Sequence, residues 1–144
     1  MEQVTKEQKP ILSGYQPLFV YGTLKDEEIC KLLFEEEFTY YHATLQNYVL
    51  KKSSDYFFVT PLEESRVVGK VIFLSDKQLL IADKWEEVPF YTRKIVKVLL
   101  SERSIDAWAY VRDSFDGENA DENKISSMDR LLLINEVKSF KDGL

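Results

Sequence analysis

The chain has 144 residues, of which 44% are hydrophobic and 31% are charged, as is typical of one globular domain with its own core. The formal net charge of -6 argues against nucleic acid and anionic membranes as partners, because phosphate binding needs a concentrated positive field. The single cysteine excludes an intramolecular disulfide and a thiolate metal cluster. No apolar run approaches the ~18 residues that span a bilayer, and the polar N-terminus is unlike a signal peptide. We therefore expect a cytoplasmic protein.

The N-terminal part of the chain begins with a polar stretch, residues 1–16, which we predict to be a flexible leader. An apolar strand is predicted at Leu18–Tyr21, and it runs into the sequence Tyr-Gly-Thr-Leu. Residues 25–36 have apolar side chains at helical spacing and predict a helix. Residues 40–60 are rich in aromatic and β-branched side chains, so we expect two short strands there, joined by a polar turn.

The middle of the chain predicts a strand followed by a helix. Residues 61–65 are polar and indicate a connection, after which Val67–Leu74 predicts a strand. Gly69 within it indicates a bulge, or a place where a ligand or another backbone comes close. Ser75 and Gln78 have the spacing of a capping box, which predicts a helix from there to about Glu87.

The last third predicts a hairpin, an acidic loop and a helix. Thr92–Leu100 and Asp106–Val111 form the expected hairpin. Residues 113–127 are acidic, but the acids do not alternate as a calcium loop requires, so we discount calcium. Residues 128–140 predict a terminal helix, with Leu132, Leu133, Val137 and Phe140 facing inward. We thus expect an α+β domain over residues 17–112, on which residues 113–144 pack.

Several kinds of catalytic site are excluded by residue content. His42 is the single histidine, which leaves no serine triad, and there is no cluster with zinc-ligand spacing. Cys30 falls on the apolar side of a predicted helix and is interpreted as a small buried hydrophobe. No glycine-rich phosphate-binding motif is present.

The carboxylate of Glu86 is the candidate that remains. On the predicted helix it shares a face with Leu79 and Ala82, because these residues are three and four positions apart. Partial burial and the negative end of the helix dipole both predict a raised pKa, which suits proton transfer near neutral pH. The alternative is an ordinary solvated charge run in which Glu86 pairs with a lysine or Arg93. Spacing alone favours that alternative.

Three motifs taken together resemble one family. The stretch FVYGTLK at residues 19–25, the D-x-x-E pattern at 83–86 and the Tyr-x-Arg pattern at 91–93 resemble the γ-glutamylcyclotransferase-like proteins. The most similar branch includes γ-glutamylamine cyclotransferase and the plant avirulence-induced-gene-2-like (AIG2-like) proteins. The resemblance covers roughly residues 18–111. It implies a small mixed β-barrel flanked by helices, with a cavity at one end.

The resemblance also implies a reaction, the cyclisation of a γ-glutamyl amide to 5-oxoproline with release of an amine or amino acid. Glu86 matches the family's catalytic glutamate, and Tyr21, Gly22, Thr23 and Leu24 match its substrate-binding turn. The nucleophile is the substrate's own α-amine, so neither a metal nor a cofactor is expected. The expected partner is a small γ-glutamyl substrate, and the oligomeric state stays open between a monomer and a weak dimer.

The roles of individual site residues have alternatives. Gly22 is expected to adopt an unusual φ and to leave access for the substrate's carboxylate. Tyr21 either donates a hydrogen bond or packs in the sheet, and Thr23 either offers its hydroxyl or favours the turn. Tyr91 and Tyr110 either line the cavity or belong to the core.

Two other points stay open at the level of the whole chain. Glu87 stands where family members often have a small residue. Either it points away from Leu79 and Ala82 and has little effect on the site, or, if the helix turns there, it raises the pKa of Glu86 further. Besides an enzyme, the chain is compatible with a non-catalytic binding module of the same fold. It is also compatible with an interaction protein that uses the tail, residues 113–144.

Overall fold

The computed structural model describes residues 14–53, 56–86, 91–112, 118–119 and 130–144. Within these residues the chain is α+β, as predicted. In chain order its elements are β1 (Tyr15–Val20), a 3₁₀ turn (Thr23–Lys25), α1 (Glu27–Phe34), β2 (Tyr41–Ser53), β3 (Tyr56–Ser75), α2 (Asp76–Trp85), β4 (Thr92–Leu100), β5 (Arg103–Val111), β6 (Glu118–Asn119) and α3 (Arg130–Asp142).

Five of the strands pair in a closed ring. Antiparallel pairings join β1 to β3, β3 to β2, β2 to β4 and β4 to β5. A parallel pairing between Leu18 and Trp108 then joins β5 back to β1, so the sheet is mixed. The short strand β6 adds to the ring at Lys51 and Lys52 of β2.

The two faces of the ring form two cores. Successive side chains of a strand point to opposite faces, and β1 follows this rule. Leu18 and Val20 pack with residues of the helices, such as Ile29 and Leu79. Phe19 instead packs with residues of the strands, in the interior of the ring.

Gly69 of β3 marks a close approach of two strands. A Cβ at this position would lie 2.5 Å from the carbonyl oxygen of Val20 and 2.6 Å from the ring of Phe19. Of the two explanations that the sequence offered, the close approach of another backbone therefore applies, and the backbone is that of β1.

The region around residues 61–65 was predicted wrongly as a polar connection. It belongs to β3, which runs through it. The pairing with β2 is interrupted there, because Tyr48 is opposite Pro61 and Gln46 is opposite Arg66, so that residues 62–65 stand opposite Asn47 in a bulge. Asn47 and Glu64 have φ angles of 68° and 69°, and the Glu64 N–H donates to Asn47 Oδ1 at 3.1 Å. The polar residues therefore form a bulge in the strand.

The first strand and the first helix also differ from the prediction at their boundaries. The strand begins at Tyr15 instead of Leu18. The helix begins at Glu27, because Asp26 caps it by accepting hydrogen bonds from the N–H groups of Glu28 and Ile29 at 2.9 and 3.1 Å. The residues before it form the separate 3₁₀ turn.

The capping box of α2 is confirmed. The Gln78 N–H donates to Ser75 Oγ at 3.2 Å, and the Ser75 N–H donates to the side chain of Gln78 at 2.8 Å. The helix ends at Trp85, with Glu86 as its C-cap. Glu87 and Pro89 lie outside the described residues.

The C-terminal hairpin and helix are confirmed with shifted bounds. Strand β5 begins at Arg103, so the turn of the hairpin is tighter than predicted, and Ser101 in it has a φ of 52°. In the terminal helix Val137 is fully buried, as predicted. The side chains of Leu132 and Leu133, and most of the acidic loop, lie outside the described part of the chain.

Candidate active site

The candidate site lies at one edge of the sheet, where several chain segments meet. Strands β4 and β5 are antiparallel, with Arg93 opposite Tyr110, so the start of β4 lies beside the end of β5. Because β1 runs parallel to β5, its end reaches the same edge. Tyr21, Tyr91 and Tyr110 are therefore brought together, although they are far apart in the sequence.

Tyr21 both packs and donates a hydrogen bond. Its hydroxyl donates to the carbonyl oxygen of Tyr110 at 2.7 Å, and its ring stacks on Phe19 with centroids 6.2 Å apart. Burial raises the pKa of Tyr21 well above its usual value, and the negative charge of Glu86 raises it further. Tyr21 therefore stays protonated at neutral pH and acts as a hydrogen-bond donor to the backbone.

Tyr91 and Tyr110 are buried and donate to other parts of the protein. The Tyr91 hydroxyl donates to the carbonyl oxygen of Phe57 at 3.0 Å, and that of Tyr110 donates to Asp83 Oδ1 at 2.7 Å. The pKa of Tyr110 is raised by burial first, then by Asp83 and Glu86. Both residues therefore belong to the core beside Tyr21.

Asp83 and Arg93 form an ion pair that the sequence did not assign to the site. Arg93 donates to both carboxylate oxygens of Asp83, at 2.7 and 3.1 Å, and about four fifths of each side chain is buried. The guanidinium carbon of Arg93 lies 4.3 Å from the ring centroid of Trp108. Arg93, which the sequence suggested as a partner of Glu86, is thus bound to Asp83. Asp83 belongs to the D-x-x-E motif and Arg93 to the Tyr-x-Arg motif, so these motifs were the sequence signal that could have placed the pair in the site.

Glu86 lies at the C-terminal end of α2, above two buried residues. Its N–H donates to the carbonyl oxygen of Ala82 at 2.8 Å, and its side chain is half-buried. Leu79 and Ala82 are buried, as the shared face predicted. The charge of Glu86 contributes to the raised pKa of both Tyr21 and Tyr110, after the larger effect of burial.

The turn after β1 is connected to the end of α2. The indole N–H of Trp85 donates to Thr23 Oγ1 at 3.0 Å. Leu24 is buried in the core, and its carbonyl oxygen accepts from the thiol of Cys30 at 3.0 Å. Thr23 therefore links the turn to α2, and the side chain of Leu24 faces the core.

Gly22 does not have the unusual φ that was expected. Its φ is −106°, outside the left-handed region, and with a ψ of −129° its conformation is neither helical nor extended. A Cβ built on Gly22 would meet no atom within 4 Å. The packing of the chain itself therefore does not require a glycine at this position.

The other candidate groups lie elsewhere. Cys30 is fully buried, as predicted, and burial is the main cause that raises the pKa of its thiol to about 12. His42 is exposed on β2. Among the described residues, no group of three or more His, Cys, Asp or Glu side chains is arranged to hold a metal ion. No helix in the described part of the chain is long and apolar enough to cross a membrane.

Comparison with known proteins gives a family match over most of the chain. The family model described as γ-glutamyl cyclotransferase, AIG2-like, matches residues 18–129. A search of curated proteins found no match.

Several solved structures share the fold. A solution structure of an Arabidopsis thaliana protein has a TM-score of 0.68 and 20% identity, over 89% of each chain. A γ-glutamyl cyclotransferase has a TM-score of 0.64 and 18% identity, over 86% of each chain. An AIG2-like protein of Mus musculus has a TM-score of 0.60 and 18% identity, over 71% of this chain and 80% of that one. With the family match, this similarity shows that the chain belongs to the γ-glutamyl cyclotransferase, AIG2-like family.

Proposed function

We propose that the protein cyclises a γ-glutamyl amide to 5-oxoproline and releases the amine, with Glu86 as the general acid and base. One observation carries the proposal. The indole N–H of Trp85 is hydrogen-bonded to Thr23 in the turn, and Glu86, the next residue, is the C-cap of α2, so this carboxylate-bearing residue and the turn are adjacent. A proton-transfer group and a turn suited to substrate binding thus lie side by side, in a chain that belongs to a cyclotransferase family.

The proposed reaction needs one group that moves a proton. Glu86 takes a proton from the substrate's α-ammonium group, and the free amine attacks the γ-carbonyl carbon to close a five-membered ring. Glu86 then returns the proton to the leaving nitrogen, and the bond between this nitrogen and the γ-carbon breaks. The second proton of the ring nitrogen passes to the released amine, which leaves as an ammonium ion. Because the attack is intramolecular, the protein contributes mainly by holding the substrate in a near-attack geometry. Glu86 is half-buried at the C-terminal end of α2, and its carboxylate is the group that we propose for this proton transfer.

The turn at residues 21–24 is proposed to hold the α-carboxylate of the substrate. Thr23 and Leu24 begin a 3₁₀ turn, and the first N–H groups of a helical turn have no acceptor within it. Gly22 adds no side chain beside them, and its Cβ position is clear of other atoms. The hydroxyls of Tyr91 and Tyr110 donate to other parts of the protein, so these residues are proposed to shape the wall of the site.

The substitution Glu86→Gln tests the proposal. It removes the proton-transfer group but keeps the size of the side chain, so we expect 5-oxoproline release to fall by at least about 10²-fold. The measurement is product formation from a panel of γ-glutamylamines and γ-glutamyl amino acids, which also identifies the preferred leaving group. Glu102→Gln is the matched control, because Glu102 is exposed in the turn at the opposite end of the β4–β5 hairpin.

Two results would contradict the proposal in different ways. Normal turnover by Glu86→Gln would show that another group moves the proton. If the γ-glutamyl compounds raised the melting temperature of the wild type but yielded no product, the chain would be a binding module of the same fold.

A further inference from the structure

The C-terminal helix α3 follows the residues that the family model matches. The match ends at residue 129, and α3 spans Arg130–Asp142. The helix is nevertheless firmly attached to the domain. The Lys141 ammonium group donates to the carbonyl oxygen of Leu32 at 2.8 Å and pairs with Glu35 at 2.7 Å, at the C-terminal end of α1. Val137 is fully buried beside them in the core.

One residue of α3 packs directly against the candidate site. The ring of Phe140 meets the ring of Trp85 edge-on, with centroids 5.3 Å apart and an angle of 82° between the planes. Trp85 is the last residue of α2 and directly precedes Glu86. Its indole N–H reaches the hydroxyl of Thr23. A continuous line of contacts therefore runs from Phe140 through Trp85 to Thr23.

We propose that α3 is a working part of this active site, in which Phe140 holds Trp85 and Trp85 sets the position of Thr23 relative to Glu86. Phe140 and Trp85 are thus positioning residues. The last turn of a helix is its least constrained part, because its carbonyl groups lack intrahelical partners. Contacts on two sides of Trp85, from α3 and from the turn, restrict the end of α2 and with it the backbone of Glu86.

The chemical consequence rests on the proposed function. If the turn holds the substrate's carboxylate and Glu86 moves the proton, the distance between them decides how often a bound substrate reaches a near-attack geometry. A misplacement of about 1 Å in such a site can lower the rate by about 10²-fold. Loosening Trp85 should therefore lower kcat more than it raises KM.

Two pairs of variants in the full chain test the role of α3. Lys141→Met releases the helix from α1, and Lys138→Met makes the same change at an exposed position of α3. Phe140→Leu removes the aromatic edge but keeps an apolar side chain, and Trp85→Phe removes the indole N–H but keeps a ring. We expect kcat to fall by about tenfold in Lys141→Met, Phe140→Leu and Trp85→Phe. We expect it to stay within twofold in Lys138→Met. All rates are measured where circular dichroism shows each variant to be folded.

A second readout does not depend on activity. The chain has two tryptophans, so two indole N–H signals are expected in a ¹⁵N-correlated NMR spectrum, and Trp85→Phe identifies which belongs to Trp85. Lys141→Met and Phe140→Leu should shift the Trp85 signal or speed its hydrogen exchange, and should leave that of Trp108 unchanged. This readout holds even if no γ-glutamyl substrate is turned over.

The inference is overturned if these variants lower the melting temperature but change neither kcat nor the Trp85 signal, since α3 would then only stabilise the fold. A shifted Trp85 signal with an unchanged kcat would also overturn it, because the position of Trp85 would not matter for the reaction.

Discussion

Gly22 and Gly69 lie next to the same strand, β1, but the same added methyl group should have opposite effects at the two positions. Gly69→Ala would place a Cβ 2.5 Å from the carbonyl oxygen of Val20, so β1 and β3 would have to move apart. Overpacking of this kind costs about 1–3 kcal/mol, and we expect the free energy of unfolding in urea to fall by that amount. An unchanged free energy of unfolding would show that β1 can move away from β3 without loss of stability.

Gly22→Ala is the matched substitution, and it should act on the reaction rather than on the fold. Its Cβ would meet no atom of the protein within 4 Å, so we expect the free energy of unfolding to fall by less than in Gly69→Ala. KM for the γ-glutamyl substrate should rise if the turn binds the carboxylate, because the methyl group would stand beside the binding N–H groups. Unchanged kinetics would argue against this role of the turn.

Cys30 should make the stability depend on pH above about pH 9. Its pKa is about 12 in the folded chain against an ordinary value of 9.0, mainly because the thiol is buried. Between these values the unfolded chain loses the thiol proton and the folded chain keeps it, so the stability that is complete below pH 9 is lost as the pH rises towards 12. The slope for one such group is about 1.4 kcal/mol per pH unit.

The comparison that isolates Cys30 is urea unfolding of the wild type and of Cys30→Ala between pH 8 and pH 11. We expect the wild type to lose stability more steeply by about 1 kcal/mol per pH unit. Tyr40 is coupled to the thiol, since Cys30 contributes to its raised pKa, so both proteins are compared in a Tyr40→Phe background. Parallel curves would mean that the thiol ionises as easily in the folded chain as in the unfolded one.

At the scale of the element, α2 is bound to the sheet at both ends by polar side chains. At its N-terminal end, Asp76 accepts from Gln16 at 2.7 Å, and Gln16 in turn accepts from the indole of Trp108 at 2.8 Å. At its C-terminal end, Asp83 is paired with Arg93, which stacks on the same indole. Because both ends are fixed, α2 can present Glu86 in one orientation.

Asp83→Asn tests the C-terminal attachment. The neutral amide keeps the shape of the side chain but loses the charge that Arg93 and Tyr110 bind, so we expect unfolding to become easier by about 2 kcal/mol in urea. Asp106→Asn is the matched control. Its partner is Lys97, and this pair is exposed, so its loss should change the stability by less than about 1 kcal/mol. Equal losses in the two variants would mean that the Asp83 pair contributes no more than a surface pair.

At the scale of the whole molecule, the closed ring of strands creates the site. The parallel contact between β1 and β5 turns the end of β1 towards the start of β4, and the family's sequence motifs thereby meet at one edge. The helices cover the outer face of the ring, and α3 adds to them from beyond the residues that the family model matches. The residues of the candidate site are therefore brought together by the topology, since no single element contains them.

The sequence by itself determined those features that depend on neighbouring residues. The capping box of α2, the burial of Leu79, Ala82 and Cys30, and the β4–β5 hairpin follow from spacing and composition, because their causes lie within a few positions of the chain. The family motifs could be recognised in the sequence because each of them is also a short local run of residues. The polar residues 61–65 were predicted wrongly as a connection, because a bulge in a paired strand and a connection have the same local composition.

Only the tertiary structure decided which partner each polar group has. Tyr21 donates to a carbonyl group 89 positions away, and Trp85 to a hydroxyl 62 positions away. The sequence suggested Arg93 only as a partner of Glu86, whereas in the structure it binds Asp83. Local patterns set secondary structure and burial, whereas a hydrogen bond forms between whichever donor and acceptor the closing of the ring brings within about 3 Å.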